Sequence, residues 1–90
     1  MSDDPWGGIP ERMRGGIMRY LEHGIPPGHF LTAVICNDLH EACRCADDEN
    51  KYLLFNYVMY FYNHAPIGSW GSPDCFDAWV ARGGVRGKQP

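Results

Sequence analysis

The segment Pro26-Pro27-Gly28-His29-Phe30 has the residue types and the order that best suit binding of an anion. Two prolines stiffen the chain before a predicted helix, and Gly28 has no side chain to keep another group away from the backbone. The N–H groups of Gly28, His29 and Phe30 would point outward at the positive end of that helix, where a phosphate or a carboxylate binds. A second helix start of the same kind is predicted at Trp70-Gly71-Ser72-Pro73.

Arginines and aromatic residues elsewhere in the chain would complete a site for a nucleotide with phosphates. Arg12, Arg14 and Arg19 of the first predicted helix would supply counter-charge, and Trp70 or Tyr62 would stack on a base. The candidate ligand-binding residues are Arg12, Arg19, Gly28, His29, Phe30, Trp70 and Ser72. The alternative is structural, because Pro-Pro-Gly also forms a rigid turn between helices and Trp70 would also fill the centre of a bundle.

Cysteines and histidines are spaced so that a helix would present three of them on one face, with Cys36, His40 and Cys43 four and three residues apart. Cys75 or His64 would complete a tetrahedral zinc site, and these two would also form a Cys–His pair of the kind used in acyl transfer. Ordinary packing is the simpler interpretation, because a buried cysteine behaves as a small apolar residue and no third group orients the pair. We therefore expect no catalytic residue, no metal and no cofactor.

Composition indicates a small cytosolic protein of one domain. The chain has 90 residues, of which 44% are hydrophobic and 13% aromatic, and this excludes general disorder. A net charge of −3 argues against a dedicated binder of duplex DNA, so nucleic acid is not expected as a partner. The acidic start of the chain lacks the features of a signal peptide, and no apolar run is long enough to span a membrane. The four cysteines are therefore expected to be reduced.

Glycines and prolines divide the chain into four predicted helices of an all-α bundle, at about residues 10–22, 28–46, 49–63 and 73–82. Pro10 suits the first turn of the first helix, and Ser72-Pro73-Asp74 suits the start of the fourth. Residues 1–8 are predicted to form a flexible arm, residues 9–84 a single helical domain, and residues 85–90 a loose tail.

The third predicted helix has two apolar faces. One face is expected to lie in the core and comprises Leu53, Leu54, Tyr57, Val58 and Phe61. The second comprises Tyr52, Phe55, Met59 and Tyr62. Four short helices can hardly surround a central one, so we expect part of the second face to be an interface for self-association into a homo-oligomer. The alternative places Phe55 and Met59 in the core and leaves the two tyrosines partly exposed.

Several longer stretches of the chain form a recognisable sequence pattern. They are Pro10-Glu11-Arg12-Met13-Arg14, residues 19–34 with Gly24-Ile25-Pro26-Pro27-Gly28 as the most specific part, Asn37-Asp38-Leu39, Ala46-Asp47-Asp48-Glu49-Asn50, Tyr62-Asn63-His64-Ala65-Pro66 and Trp70-Gly71-Ser72-Pro73. Together they cover about residues 9–84, and the pattern resembles a family of small helical proteins of tailed bacteriophages and prophages. The resemblance assigns no catalytic residues, and it implies a phage protein that acts in the cytoplasm of the host bacterium.

Small non-catalytic phage proteins often disarm bacterial immunity by binding. The resemblance therefore implies a counter-defence protein, and the nucleotide site suggests its most specific form, which is sequestration of a cyclic nucleotide or ADP-ribose type of immune messenger. One alternative is an inhibitor that blocks a host defence complex by direct protein contact, as anti-CRISPR proteins do. Another alternative is a small phage adaptor for transcription or replication.

Overall fold

Five short α-helices joined by turns make up most of the described part of the chain. The structure, a computed structural model, describes residues 6–87. The helices are α1 (Glu11–His23), α2 (His29–Ile35), α3 (Leu39–Cys45), α4 (Leu54–His64) and α5 (Pro73–Arg82), and a 3-10 helix, Asn50–Tyr52, precedes α4. Residues 6–87 contain no strand, so the all-α prediction is confirmed, whereas the predicted number of four helices is wrong.

The predicted helix at 28–46 is two helices, α2 and α3. Asn37 has a φ of 63°, in the left-handed region that an α-helix cannot include and that asparagine tolerates better than most residues. The side chain of Asp38 then caps α3, because its Oδ1 accepts a hydrogen bond from the N–H of Glu41 at 3.2 Å. The apolar periodicity ran through this break because α2 and α3 pack against each other and each buries one side.

The predicted helix at 49–63 also begins later than expected. The carboxylate of Asp47 accepts hydrogen bonds from the N–H groups of Glu49 and Asn50, at 3.1 and 2.8 Å. These bonds cap the 3-10 turn at Asn50–Tyr52, and α4 begins only at Leu54. The acidic run is a helix start, as the sequence indicated, but it starts the 3-10 helix instead of the longer one.

Aromatic side chains dominate the core. The buried apolar residues are Ile9, Ile17, Tyr20, Leu21, Phe30, Leu31, Ala33, Val34, Ile35, Ala42, Tyr57, Tyr60, Phe61 and Trp79. Each of the most buried polar groups has a partner: the Tyr20 hydroxyl donates to the carbonyl of Ser69 at 2.8 Å, and the Tyr57 hydroxyl donates to Oδ1 of Asn50 at 2.6 Å. The radius of gyration is 12.5 Å, which is close to the roughly 12 Å of a compact domain of this length.

The chain after α5 runs back over the end of α1. The N–H groups of Val85 and Arg86 donate to the carbonyls of Leu21 and Glu22 at 2.9 and 2.7 Å. These carbonyls belong to the last turn of α1, where no helical partner is left for them. Of the predicted tail, Val85 and Arg86 thus lie against α1, the N–H of Gly87 donates to the carbonyl of Gly83, and residues 88–90 are outside the described part of the chain.

The described end of the predicted arm contacts α4. Trp6 stacks on Tyr60 with ring centroids 4.7 Å apart, and Nδ2 of Asn56 donates to the carbonyl of Gly7. Residues 1–5 lie outside the described residues. Among residues 6–87, no helix has both the length and the apolar character needed to cross a membrane.

Candidate functional site

Three of the predicted ligand-binding residues line one open pocket of about 270 Å³. Arg12 and Arg19 reach it from α1, and Gly28 reaches it from the turn that leads into α2. Apolar groups of Met13, Ile25, Pro26, Pro27 and Leu31 complete its lining. We call this site the arginine pocket; it combines cationic side chains with an apolar wall.

Arg12 is already paired with acidic side chains at the rim of the arginine pocket. One of its guanidinium nitrogens, Nη2, lies 2.8 Å from Glu49 Oε1 and 3.0 Å from Asp47 Oδ2. Hydrogen bonds to the backbone of Asn50 and to Arg12 lower the pKa of Asp47. The hydrogen bonds to Glu49 and Asp47 raise the pKa of Arg12. Arg12 therefore ties the acidic turn to α1, and its charge is neutralised locally.

The guanidinium of Arg19, in contrast, forms no hydrogen bond or ion pair with any of residues 6–87, and only the backbone carbonyl of Arg19 accepts a hydrogen bond, from the turn that follows α1. Its guanidinium lies over the paired glycines of α1: a Cβ on Gly15 would be only 3.1 Å from Nη1, and one on Gly16 would be 3.9 Å from Nη2. The two glycines, which lower the helix propensity of α1, leave room for this guanidinium beside the pocket. Arg19 is thus the cation of the arginine pocket that is available to a ligand.

The start of α2 presents free backbone rather than side-chain caps. Gly28 is the N-cap residue in an extended conformation, and no side chain accepts a hydrogen bond from the first N–H groups of the helix. A Cβ on Gly28 would meet nothing within 4 Å, and His29 is exposed. Phe30 is different, because its ring is buried edge-on against Tyr57, with centroids 5.0 Å apart. Of the predicted residues Gly28, His29 and Phe30, Gly28 lines the arginine pocket, whereas His29 and Phe30 do not.

Trp70 and Ser72 do not line the arginine pocket. The N–H of Gly71 donates to the carbonyl of Ile35 at 2.7 Å, which ties this loop to the opposite end of α2 from Gly28. Trp70 is half-buried and its ring lies 6.3 Å from that of Phe61. The Ser72 hydroxyl accepts from the N–H of Cys75 at 3.1 Å and so caps α5.

The second apolar face of the third predicted helix is largely exposed. Tyr52 is 80% exposed, Phe55 74% and Tyr62 70%, while Met59 is half-buried. Val58, which the sequence assigned to the core face, is 40% exposed, and Tyr60 is buried instead. We call Tyr52, Phe55, Val58, Met59 and Tyr62 the aromatic face.

A second pocket, also of about 270 Å³, was not predicted from the sequence. It lies between the start of the described chain and α4, and it is lined by Trp6, Asn56, Tyr60, Asn63 and His64 among others. The packing of Trp6 on Tyr60 creates it, and nothing in the local sequence around either residue indicates that the two rings meet.

The cysteines are dispersed rather than clustered. The break at Asn37 puts Cys36 at the end of α2 and Cys43 on α3, so they no longer share one helix face. No group of three or more metal-binding side chains occurs in the described part of the chain. All four cysteines are free thiols, and burial is the main cause that raises the pKa of Cys36.

Comparisons of the chain with protein-family models, with curated proteins and with solved structures gave no match.

Proposed function

We propose that this protein is a non-catalytic phage counter-defence protein that sequesters a nucleotide immune messenger, of the cyclic or ADP-ribose type, in the arginine pocket. The observation that carries the proposal is the position of Arg19. Its guanidinium is unpaired among residues 6–87 and shares a pocket with the open backbone of Gly28, although the two residues are nine positions apart in the chain.

The chemistry of the arginine pocket suits a phosphate attached to a less polar group. A guanidinium presents several N–H donors in a plane and binds phosphate through two parallel hydrogen bonds. The backbone of Gly28, the N-cap residue of α2, lines the same pocket and adds uncharged polar groups to it. Met13, Pro26 and Pro27 provide apolar surface for a sugar or base.

The size of the arginine pocket limits how a messenger would sit. Its volume of about 270 Å³ is just below the range of roughly 300–1,000 Å³ typical of small-molecule sites. One phosphate with its sugar would occupy it, and the rest of a dinucleotide would extend over the surface. Trp70 lies elsewhere, so base stacking on Trp70 is not part of this proposal.

Isothermal titration calorimetry against a panel of cyclic dinucleotides and cyclic ADP-ribose compounds tests the proposal. A charge-assisted hydrogen bond contributes about 1.5–3 kcal/mol, so Arg19→Gln should weaken binding roughly 10- to 150-fold. Arg44→Gln is the matched control, because Arg44 is exposed on α3, pairs with Glu41 and does not line the arginine pocket. Flat heats across the panel, or an equal loss in both variants, would overturn the proposal.

Inhibition of a host defence protein by direct contact is a second candidate, and the aromatic face favours it. Exposed aromatic side chains are the residues that most often dominate binding energy at protein interfaces. Under this hypothesis, a stoichiometric host protein should copurify with the wild-type chain and be lost with Phe55→Glu. It should be retained with Ile67→Glu, because Ile67 is fully exposed but lies on the loop after α4, outside the aromatic face.

A further inference from the structure

We propose that the aromatic face pairs two copies of this chain through an antiparallel contact between their α4 helices. This inference does not depend on the nucleotide, because the arginine pocket and the aromatic face share no residue. Phe55, Val58 and Tyr62 lie at i, i+3 and i+7 of α4 and thus form one stripe along the helix. Tyr52 extends the stripe at its beginning.

The exposed area of this face matches what a small dimer requires. A Phe or Tyr side chain can bury roughly 150–250 Å². With three rings 70–80% exposed, each chain presents roughly 450 Å² of aromatic surface, and two chains would bury roughly 900 Å² in total. Val58 and the neighbouring Leu39, which is 67% exposed and lines the same small crevice, bring the total above the roughly 1,000 Å² of a specific interface.

The absence of charge on α4 favours a second copy over a partner selected by charge. No Asp, Glu, Lys or Arg occurs from Tyr52 to Pro73. Two copies of a chain with a net charge of −3 would repel each other if acidic surfaces met. The aromatic face has no charged side chain, so pairing through it brings no like charges together. An uncharged apolar stripe is complementary to itself, as the two-fold interface of a homodimer requires.

Charges next to α4 select the antiparallel arrangement. The acidic residues Asp47, Asp48 and Glu49 lie directly before the stripe, at its Tyr52 end, and their ion pairs with Arg12 and Lys51 leave this turn with a net charge of about −1. A parallel pair would bring the two acidic turns together. An antiparallel pair separates them by about the length of α4, roughly 16 Å for its 11 residues, which exceeds the Debye length of about 8 Å at physiological salt. In this arrangement Phe55 of one copy contacts Tyr62 of the other, and Val58 lies near the two-fold axis.

The molar mass of the full chain in solution tests the pairing. At about 100 μM chain, a concentration suited to micromolar interfaces of this size, light scattering after size exclusion should give twice the chain mass of 10.2 kDa. Phe55→Glu alters two symmetric contacts at once and should weaken the dimer about 100-fold or more, leaving a monomer. Ile67→Glu adds the same charge to a fully exposed apolar residue outside the face and should leave the dimer intact.

Mixing two variants tests the antiparallel direction. Phe55→Glu and Tyr62→Arg should each be monomeric alone, and an equal mixture should form a heterodimer in which the new charges at positions 55 and 62 face each other. Circular dichroism of each variant confirms that it is folded. A monomeric wild-type chain, a dimer that Phe55→Glu leaves unchanged, or a mixture that stays monomeric would overturn the proposal. Failure of nucleotide binding would leave the dimer mass unchanged, so the two proposals fail separately.

Discussion

Replacement of Gly84 by alanine tests how the segment after α5, residues 84–86, is fixed to α1. Gly84 has a φ of +71°, and a Cβ at this position would lie 2.5 Å from the carbonyl carbon of Glu22 and from the nitrogen of His23. Both contacts are with backbone atoms, so no side-chain rotation relieves them. The new methyl group must therefore push the segment at Val85 away from α1.

The expected loss of stability is about 3 kcal/mol. A left-handed conformation costs a non-glycine residue roughly 1–2 kcal/mol, and the reduced freedom of the unfolded chain returns about 0.4–1 kcal/mol. Displacement of the segment breaks the hydrogen bonds from Val85 to Leu21 and from Arg86 to Glu22, at about 1 kcal/mol each. For a domain of this size, such a loss lowers Tm by roughly 12–24 °C.

Two other glycines separate the cost of the left-handed conformation from the cost of the clash with α1. Gly68 has a φ of +90° but open space around it, so Gly68→Ala should show only the conformational cost of about 1 kcal/mol. Gly28 has neither a positive φ nor a neighbour within 4 Å, so Gly28→Ala should change stability by less than about 0.5 kcal/mol. Urea unfolding followed by far-UV circular dichroism measures all three variants. Equal losses for Gly84→Ala and Gly68→Ala would refute the close approach of residues 84–86 to α1.

Three further predictions concern the core and a helix cap. Tyr57→Phe should cost about 1–3 kcal/mol in urea unfolding, because it leaves Oδ1 of the buried Asn50 without its donor; an unchanged midpoint would contradict this bond. Burial raises the pKa of Tyr57 to about 12 and also raises that of Tyr20, whereas unfolded tyrosines ionise near pH 10. The folded chain therefore holds more protons between about pH 10 and 12, and its unfolding free energy, measured by urea unfolding at a series of pH values, should fall over this window. Ser72→Ala should cost about 1 kcal/mol through loss of the α5 cap, and Ser72→Asp should restore the stability measured by thermal unfolding.

Helix ends marked by glycine, serine or proline were predictable from the sequence. The helix α5 runs from Pro73 to Arg82, as predicted, because Ser72 caps its start and Gly83 adopts the left-handed conformation at its end. The end of α1 follows the same rule at Gly24, which has a φ of 70°. These signals act within one turn of the helix, so they require no knowledge of the rest of the fold.

Breaks inside apolar segments were not predictable in the same way. Asn37 interrupts a continuous apolar pattern, and the asparagine–aspartate pair that marks the break also occurs within ordinary helices. The sequence places Val58 in the core, but Tyr60 is buried there instead. The cause is similar, because the packing of Trp6 on Tyr60 determines which side of α4 is covered. Periodicity identifies a helix, but neighbouring elements decide which of its faces is buried.

The candidate site was predicted only in part for the same reason. Arg12 and Arg19 meet Gly28 because α1 and the turn that follows it are adjacent in the chain. Trp70 and Ser72 lie far along the chain, and the hydrogen bond from Gly71 to Ile35 fixes them at the other end of α2. Residue types alone do not show that Gly28 and Ser72 lie near opposite ends of α2.

Native mass spectrometry of the protein purified from phage-infected cells tests the central claim most directly, because one spectrum reports both the number of chains and any retained small molecule. We predict a species of two chains that carries an anionic, phosphate-containing adduct, with the adduct lost in Arg19→Gln and the pairing lost in Phe55→Glu. A spectrum that contains only the bare single chain of 10.2 kDa would contradict the account.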